Sequence, residues 1–170
     1  AYSIVMEGIW FYSGFMVMLS FRQRNQLRNF GSMINWVLRD ESLHLKFGIN
    51  LIHNILEENT ELLTEEFAAE IRNIIIEGVD LETAYNKDLF PNGILGLNAD
   101  YVNQYVQYVA DRRLTELGMP KYYNATNPAK WMSTATDVFE LVNFFEAQNT
   151  SYEVDGHAGT TAKKEPAATV

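Results

Sequence analysis

Eighteen residues near the start of the chain, Ile4 to Phe21 (IVMEGIWFYSGFMVMLSF), carry a single charge, Glu7. This stretch constrains the fold more than any other. Its length is close to that of a membrane span. A carboxylate inside a span is costly, however, and polar Asn25 and Gln26 follow soon after. The basic residues Arg22, Arg24 and Arg28 lie after the segment and none precedes it, so it is not built like a signal peptide. The reading that fits is a helix buried on nearly all sides within a bundle. The chain opens inside that helix, with no Met and no capping residue, and is therefore expected to be a piece of a longer protein.

Helical signals continue downstream. The first helix is expected over about 1–27, with a break at Asn29, Gly31 and Ser32. Ser32 is expected to cap a second helix running to about Glu58, with Met33, Val37, Leu51 and Ile55 on its buried face. A third helix is expected over roughly Thr64 to Asp88, with Glu65 and Glu66 in its first turn, where carboxylates suit the helix dipole. Pro91-Asn92-Gly93 signals a turn. Asn98 then caps a fourth helix to about Leu117, followed by Gly118 and Pro120. Residues 122–131 (YYNATNPAKW) read as an ordered loop held by its aromatics, and a short helix is expected over about 135–145. No window alternates as a strand does, so the expected class is all-α. The body is expected over 1–147 and a disordered, mostly small and polar tail over 148–170.

Composition limits the chemistry. The formal net charge of −9 argues against nucleic-acid binding and against a polybasic membrane anchor. No Cys is present, which excludes disulfides, thiolate catalysis and thiolate-bound clusters. Any metal must be held by carboxylates and by one or more of three His. Glu41 and His44 stand three apart, so a helix turns both to one side. An E-x-x-H pair also arises by chance, as two side chains that simply hydrogen-bond within their helix. Glu7 raises the interest of the pair, because it is a lone carboxylate on the preceding helix. Ferritin-like bundles build a dinuclear site from one carboxylate on each of two helices and an E-x-x-H on each of two others. Glu7 with Glu41 and His44 is half of that formula. His53 and His157 lack a Glu three residues before them. They read as a surface or loosely packed residue and a tail residue. The second half must come from a second copy about a two-fold axis or from sequence preceding this chain.

The segments EGIWFYSGF (7–15) and RDESLHLKFG (39–48) are followed in order by GILGL (93–97), ADRRL (110–114), NPAKWM (127–132) and NFFE (143–146). Over roughly 1–155 this set resembles the C-terminal half of the small, radical-generating subunit of class I ribonucleotide reductase. Several segments are similar in tone to the chlamydial-type subgroup. The resemblance implies a ferritin-like helix bundle and a dimetal centre of Fe/Fe, Mn/Fe or Mn/Mn. It implies Glu7, Glu41 and His44 as metal ligands. Asp40 would lie beside the site and couple electron and proton movement. Phe11, Phe15 and Val37 would form an apolar pocket. Tyr152 would relay the radical, with Glu146 near the subunit interface. The remaining ligands and the radical residue would lie upstream. The implied partners are the large catalytic subunit and a second copy of the small one, in the cytoplasm, with neither nucleic acid nor membrane.

The C-terminal end, AKKEPAATV, departs from the short apolar or acidic docking peptide usual in the family. Two other readings stay open on the residues alone. One is a related dimetal ligand-binding oxidase. The other is a non-enzymatic iron-binding half-bundle.

Overall fold

The computed structural model describes residues 1–94 and 96–133. The expected helix over 135–145, the tail, Glu146 and Tyr152 lie outside the described residues. Within them the chain is all-α. The first helical rod is Tyr2–Gln23. It consists of α1 (Tyr2–Val5), a π-helical segment (Met6–Trp10) and α2 (Phe11–Gln23). Then come α3 (Arg28–Glu58), a 3-10 turn (Thr60–Leu62), α4 (Glu65–Leu89) and α5 (Ala99–Glu116).

The first rod is long and apolar enough to cross a membrane by length and composition, yet 56% of its most apolar window is buried against its neighbours. That is consistent with a core helix. Ile4, Ile9 and Met16 are among its fully buried side chains. They meet Leu38 of α3, Ile75 and Val79 of α4, and Val102, Val106 and Leu114 of α5 in one core. Burial of such side chains contributes about 1.5–3 kcal/mol each.

Two helix boundaries differ from the sequence expectation. The break between the first two helices falls earlier than Asn29–Ser32. The chain turns at Asn25 (φ 63°) and Leu27 (φ 46°), both left-handed. α3 is already regular at Arg28. Ser32 is therefore no cap. It sits within the helix and its hydroxyl donates back to the Arg28 carbonyl at 3.1 Å. Gly31 has a packing role instead of a breaking one. A Cβ there would lie 2.7 Å from Cβ of Arg22. The expected caps at the other two helices are formed: Thr64 accepts from the amide of Phe67, and Asn98 from that of Tyr101.

The expected buried face of α3 is also corrected. Leu38, Leu45 and Ile49 enter the core, whereas Met33, Val37, Leu51 and Ile55 are exposed, along with Trp36 and Phe47. α3 has two apolar stripes, and the described residues cover only one of them.

The loop after α5 is ordered, chiefly by a carboxylate rather than by its aromatics alone. Asp111 is 1% exposed. Its Oδ1 accepts from the amides of Tyr122 and Tyr123, and its Oδ2 from that of Ala125, each at 2.9 Å. The rings of Tyr122 and Tyr123 pack edge to face at 4.9 Å. The indole of Trp131 donates to the Tyr101 hydroxyl, which donates to the Pro128 carbonyl. Replacing Asp111 with Ala strands three amides that charge-assisted hydrogen bonds now satisfy. The expected loss is on the order of 3 kcal/mol or more. Urea unfolding of the two chains measures it, and an unchanged midpoint would show that the loop does not depend on this carboxylate.

Candidate metal site

Two features of the backbone bring Glu7 to α3. The first is the π-helical segment that contains it. The amide of Phe11 bonds to the carbonyl of Met6, five residues back. Such a turn holds one more residue than an α-turn and is frequent at functional sites. The second is close packing at Gly8. A Cβ there would stand 2.7 Å from Leu45 Cδ1, so glycine lets the segment lie against α3 without displacing that side chain.

Glu7, Glu41 and His44 can each offer one ligand atom such that all three lie within 4.8 Å of one another. Nδ1 of His44 is 3.1 Å from Oε2 of Glu41. Glu7 and Glu41 are part-buried, and the His44 side chain is 62% exposed. Thus the structure brings together the three residues that the spacing and the resemblance had singled out.

Electrostatics make the cluster a competition for protons. The hydrogen bond between the two carboxyl groups raises the pKa of Glu7, and burial adds to the rise. The same bond holds Glu41 low. Glu41 in turn raises the His44 imidazole through its hydrogen bond. Two carboxylates this close repel, so Glu7 holds its proton more readily than a free carboxyl does.

A divalent cation fits these donors. Oε2 of Glu7 is a buried carboxylate oxygen with no hydrogen-bond partner. An acceptor left so is costly, and a cation at this place would satisfy it. Two carboxylates and one imidazole are ordinary donors to a divalent metal ion.

The other residues singled out from the sequence have differing surroundings. Phe15 is buried, and its ring meets those of Phe11 and Tyr12 edge to face, at 6.4 and 6.1 Å. Phe11 and Val37 are 40% and 44% exposed. Asp40 is exposed on α3, one residue before Glu41. His53 is not the loose residue expected. It is half-buried, and its Nε2 lies 2.9 Å from the Glu116 carbonyl.

Sequence reasoning gave no role to Tyr12, Ser42 or Arg113. Tyr12 and Ser42 join α2 to α3 by a 3.0 Å hydrogen bond right beside Glu41. Arg113 is 3% exposed and contacts the π-segment. A signal for it existed. It continues the buried series Val102, Val106, Val109 at helical spacing, a charge on an apolar stripe just as Glu7 is.

A carboxylate-bearing first helix set against an E-x-x-H helix, in an all-α chain, defines the ferritin-like bundle class. Comparison with known proteins narrows the class. The family model for "Ribonucleotide reductase, small chain" matches residues 1–128. The chain is 46% identical over 156 residues to a ribonucleoside-diphosphate reductase subunit beta of Chlamydia pneumoniae, covering 92% of this chain and 45% of that protein. It is 31% identical over 154 residues to the subunit beta of Halalkalibacterium halodurans, covering 89% and 45%. A solved putative class I ribonucleotide reductase from Bacillus halodurans superposes with a TM-score of 0.72 at 32% identity, over 76% of this chain and 42% of that one. The R2 subunit from Clostridium botulinum gives 0.73 at 29%, over 78% and 42%. The chain belongs to the ribonucleotide reductase small-chain family. It spans less than half the length of these relatives.

Proposed function

We propose that this chain supplies the C-terminal half of the small subunit of a class I ribonucleoside-diphosphate reductase. The observation that carries the reading is the Glu7–Glu41–His44 cluster, formed across two helices of a chain in this family. Glu7 and Glu41 would offer carboxylate oxygens and His44 an imidazole nitrogen to one side of a dimetal centre. The other ligands would come from helices outside this chain. When bound, that centre would supply the oxidising equivalent used to reduce ribonucleotides to deoxyribonucleotides in a large catalytic subunit. The donor set accommodates Fe/Fe, Mn/Fe or Mn/Mn.

The remaining residues act on protons, water and electrons. Phe15, with Phe11 and Val37, keeps water from the site once further helices close over it. Asp40, placed on the helix next to Glu41, would accept a hydrogen bond from a ligand imidazole and take up a proton as an electron passes. Tyr152 suits the outward relay because its phenol loses an electron and a proton together. Glu146 would lie near the interface with the large subunit. We place the complete subunit in the cytoplasm as a homodimer.

The test is a subunit completed with the upstream half of the C. pneumoniae relative. It should be retained by an immobilised class I large subunit and support reduction of ribonucleoside diphosphates. Metal binding without retention or reductase activity would favour a ligand-binding oxidase instead and overturn this reading.

A further inference from the structure

Arg113 holds a position that stability does not explain. A buried ion pair is seldom better than apolar side chains of similar size. Yet the Arg113 guanidinium lies on the apolar stripe of α5 and is almost fully enclosed. Its bonds account for this. Nη1 donates to both carboxylate oxygens of Glu116, at 2.8 and 2.6 Å. Nε donates to the carbonyl of Gly8, at 3.0 Å, inside the π-segment and one residue from Glu7. The carbon of the guanidinium stands 5.0 Å from the centre of the Tyr12 ring.

From there the contacts continue to the other half of the cluster. Ser42 Oγ donates to the Leu38 carbonyl at 2.7 Å, so its 3.0 Å bond with Tyr12 is one in which the phenol donates. Ser42 adjoins Glu41 and lies one turn of α3 from Leu38. Glu116, the ion partner of Arg113, also receives His53 of α3 at its backbone carbonyl. One side chain of α5 thus touches the segment that holds Glu7 and, through Tyr12, the turn that holds Glu41. Gly8 permits this approach, since a Cβ there would come within 3.0 Å of Arg113 Nε.

We propose that Arg113 is a positioning residue that fixes the π-segment at Gly8 and, through Tyr12 and Ser42, sets Glu7 at ligand distance from Glu41 and His44. The inference rests on reading that cluster as a metal site. It assigns Arg113 no contact with the metal or with substrate. Its effect is on where Glu7 stands before any cation arrives. Outer partners that orient ligands in this manner typically govern ten- to a hundredfold of metal affinity.

The test is made in the subunit completed with the upstream half of the C. pneumoniae relative, and compares the parent with Arg113→Gln and Tyr12→Phe. Tyr12→Phe keeps the ring beneath the guanidinium and removes only the bond to Ser42. Mn2+ affinity is read by EPR of the free ion, fold by circular dichroism, and the π-segment by amide hydrogen exchange at residues 6–11. The expected result is a ten- to hundredfold weaker Mn2+ affinity in each folded variant. Exchange at residues 6–11 should be at least tenfold faster in Arg113→Gln, while the amides of α4 stay as in the parent.

Parent affinity in the folded variants, even with a lowered melting temperature, would mean that Arg113 is a packing residue only, and would overturn the proposal. If Arg113→Gln fails to fold, Tyr12→Phe decides by the same affinity criterion. If the parent takes up no Mn2+, the metal reading itself fails, and exchange at residues 6–11 alone decides whether Arg113 or Tyr12 holds the segment.

Discussion

In the completed subunit, Glu41→Ala or His44→Ala abolishes metal loading; that is the result expected from the cluster. Glu41 is the shared member. It hydrogen-bonds to Glu7 on one side and to His44 on the other. Its removal takes one donor atom and leaves the other two unbridged. The same geometry fixes the pH dependence. A cation needs ionised carboxylates and a neutral imidazole. The Glu7 carboxyl and the His44 imidazole both have pKa values raised in the apo chain, so both retain protons to higher pH than usual. Each must lose its proton for metal to enter. Affinity therefore strengthens as pH rises through these raised values and is lost as pH falls through them. Mn2+ titrations between pH 5 and about pH 8 check the sign, a range that spans the ordinary imidazole value. Affinity that is flat or grows toward acid would contradict the assignment, as would a Glu41→Ala chain that binds like the parent.

Tyr152→Phe should leave metal content untouched and stop turnover. Phenylalanine keeps the ring and removes the phenolic proton, so proton-coupled oxidation is lost. In the completed subunit, the expected loss of ribonucleoside-diphosphate reduction is at least a thousandfold, about 4 kcal/mol in activation free energy. Metal stoichiometry and retention by the large subunit are measured on the same preparation. Undiminished reduction would remove Tyr152 from the relay, and a simultaneous loss of retention would make it a docking residue instead.

Much of the fold was legible because apolar periodicity and caps speak locally. Thr64 and Asn98 cap as their positions suggest, and α4 and α5 follow. The cluster was legible for a related reason. A lone carboxylate among apolar residues and an E-x-x-H pair are both visible without knowing what faces what. What could not be read depends on tertiary contact. The break at Asn25–Leu27 carries no glycine or proline, and left-handed Leu27 is disfavoured by its side chain. The two apolar stripes of α3 look alike in sequence. Only the packing shows that Leu38, Leu45 and Ile49 meet this chain's own core. The π-turn leaves no local mark either.

That turn has a consequence for how the gene segment tolerates change in length. A π-segment carries one residue beyond what a regular helix would need. Deleting any single residue between Met6 and Trp10 would let the rod relax into an unbroken α-helix. The turns on either side would keep their faces, because the surplus residue is what the wider turn absorbs. Ile4 and Val5 would stay in the core. The change would fall on the widened turn itself, which holds Glu7. The surplus residue therefore serves the placement of Glu7 and not the register of the rod.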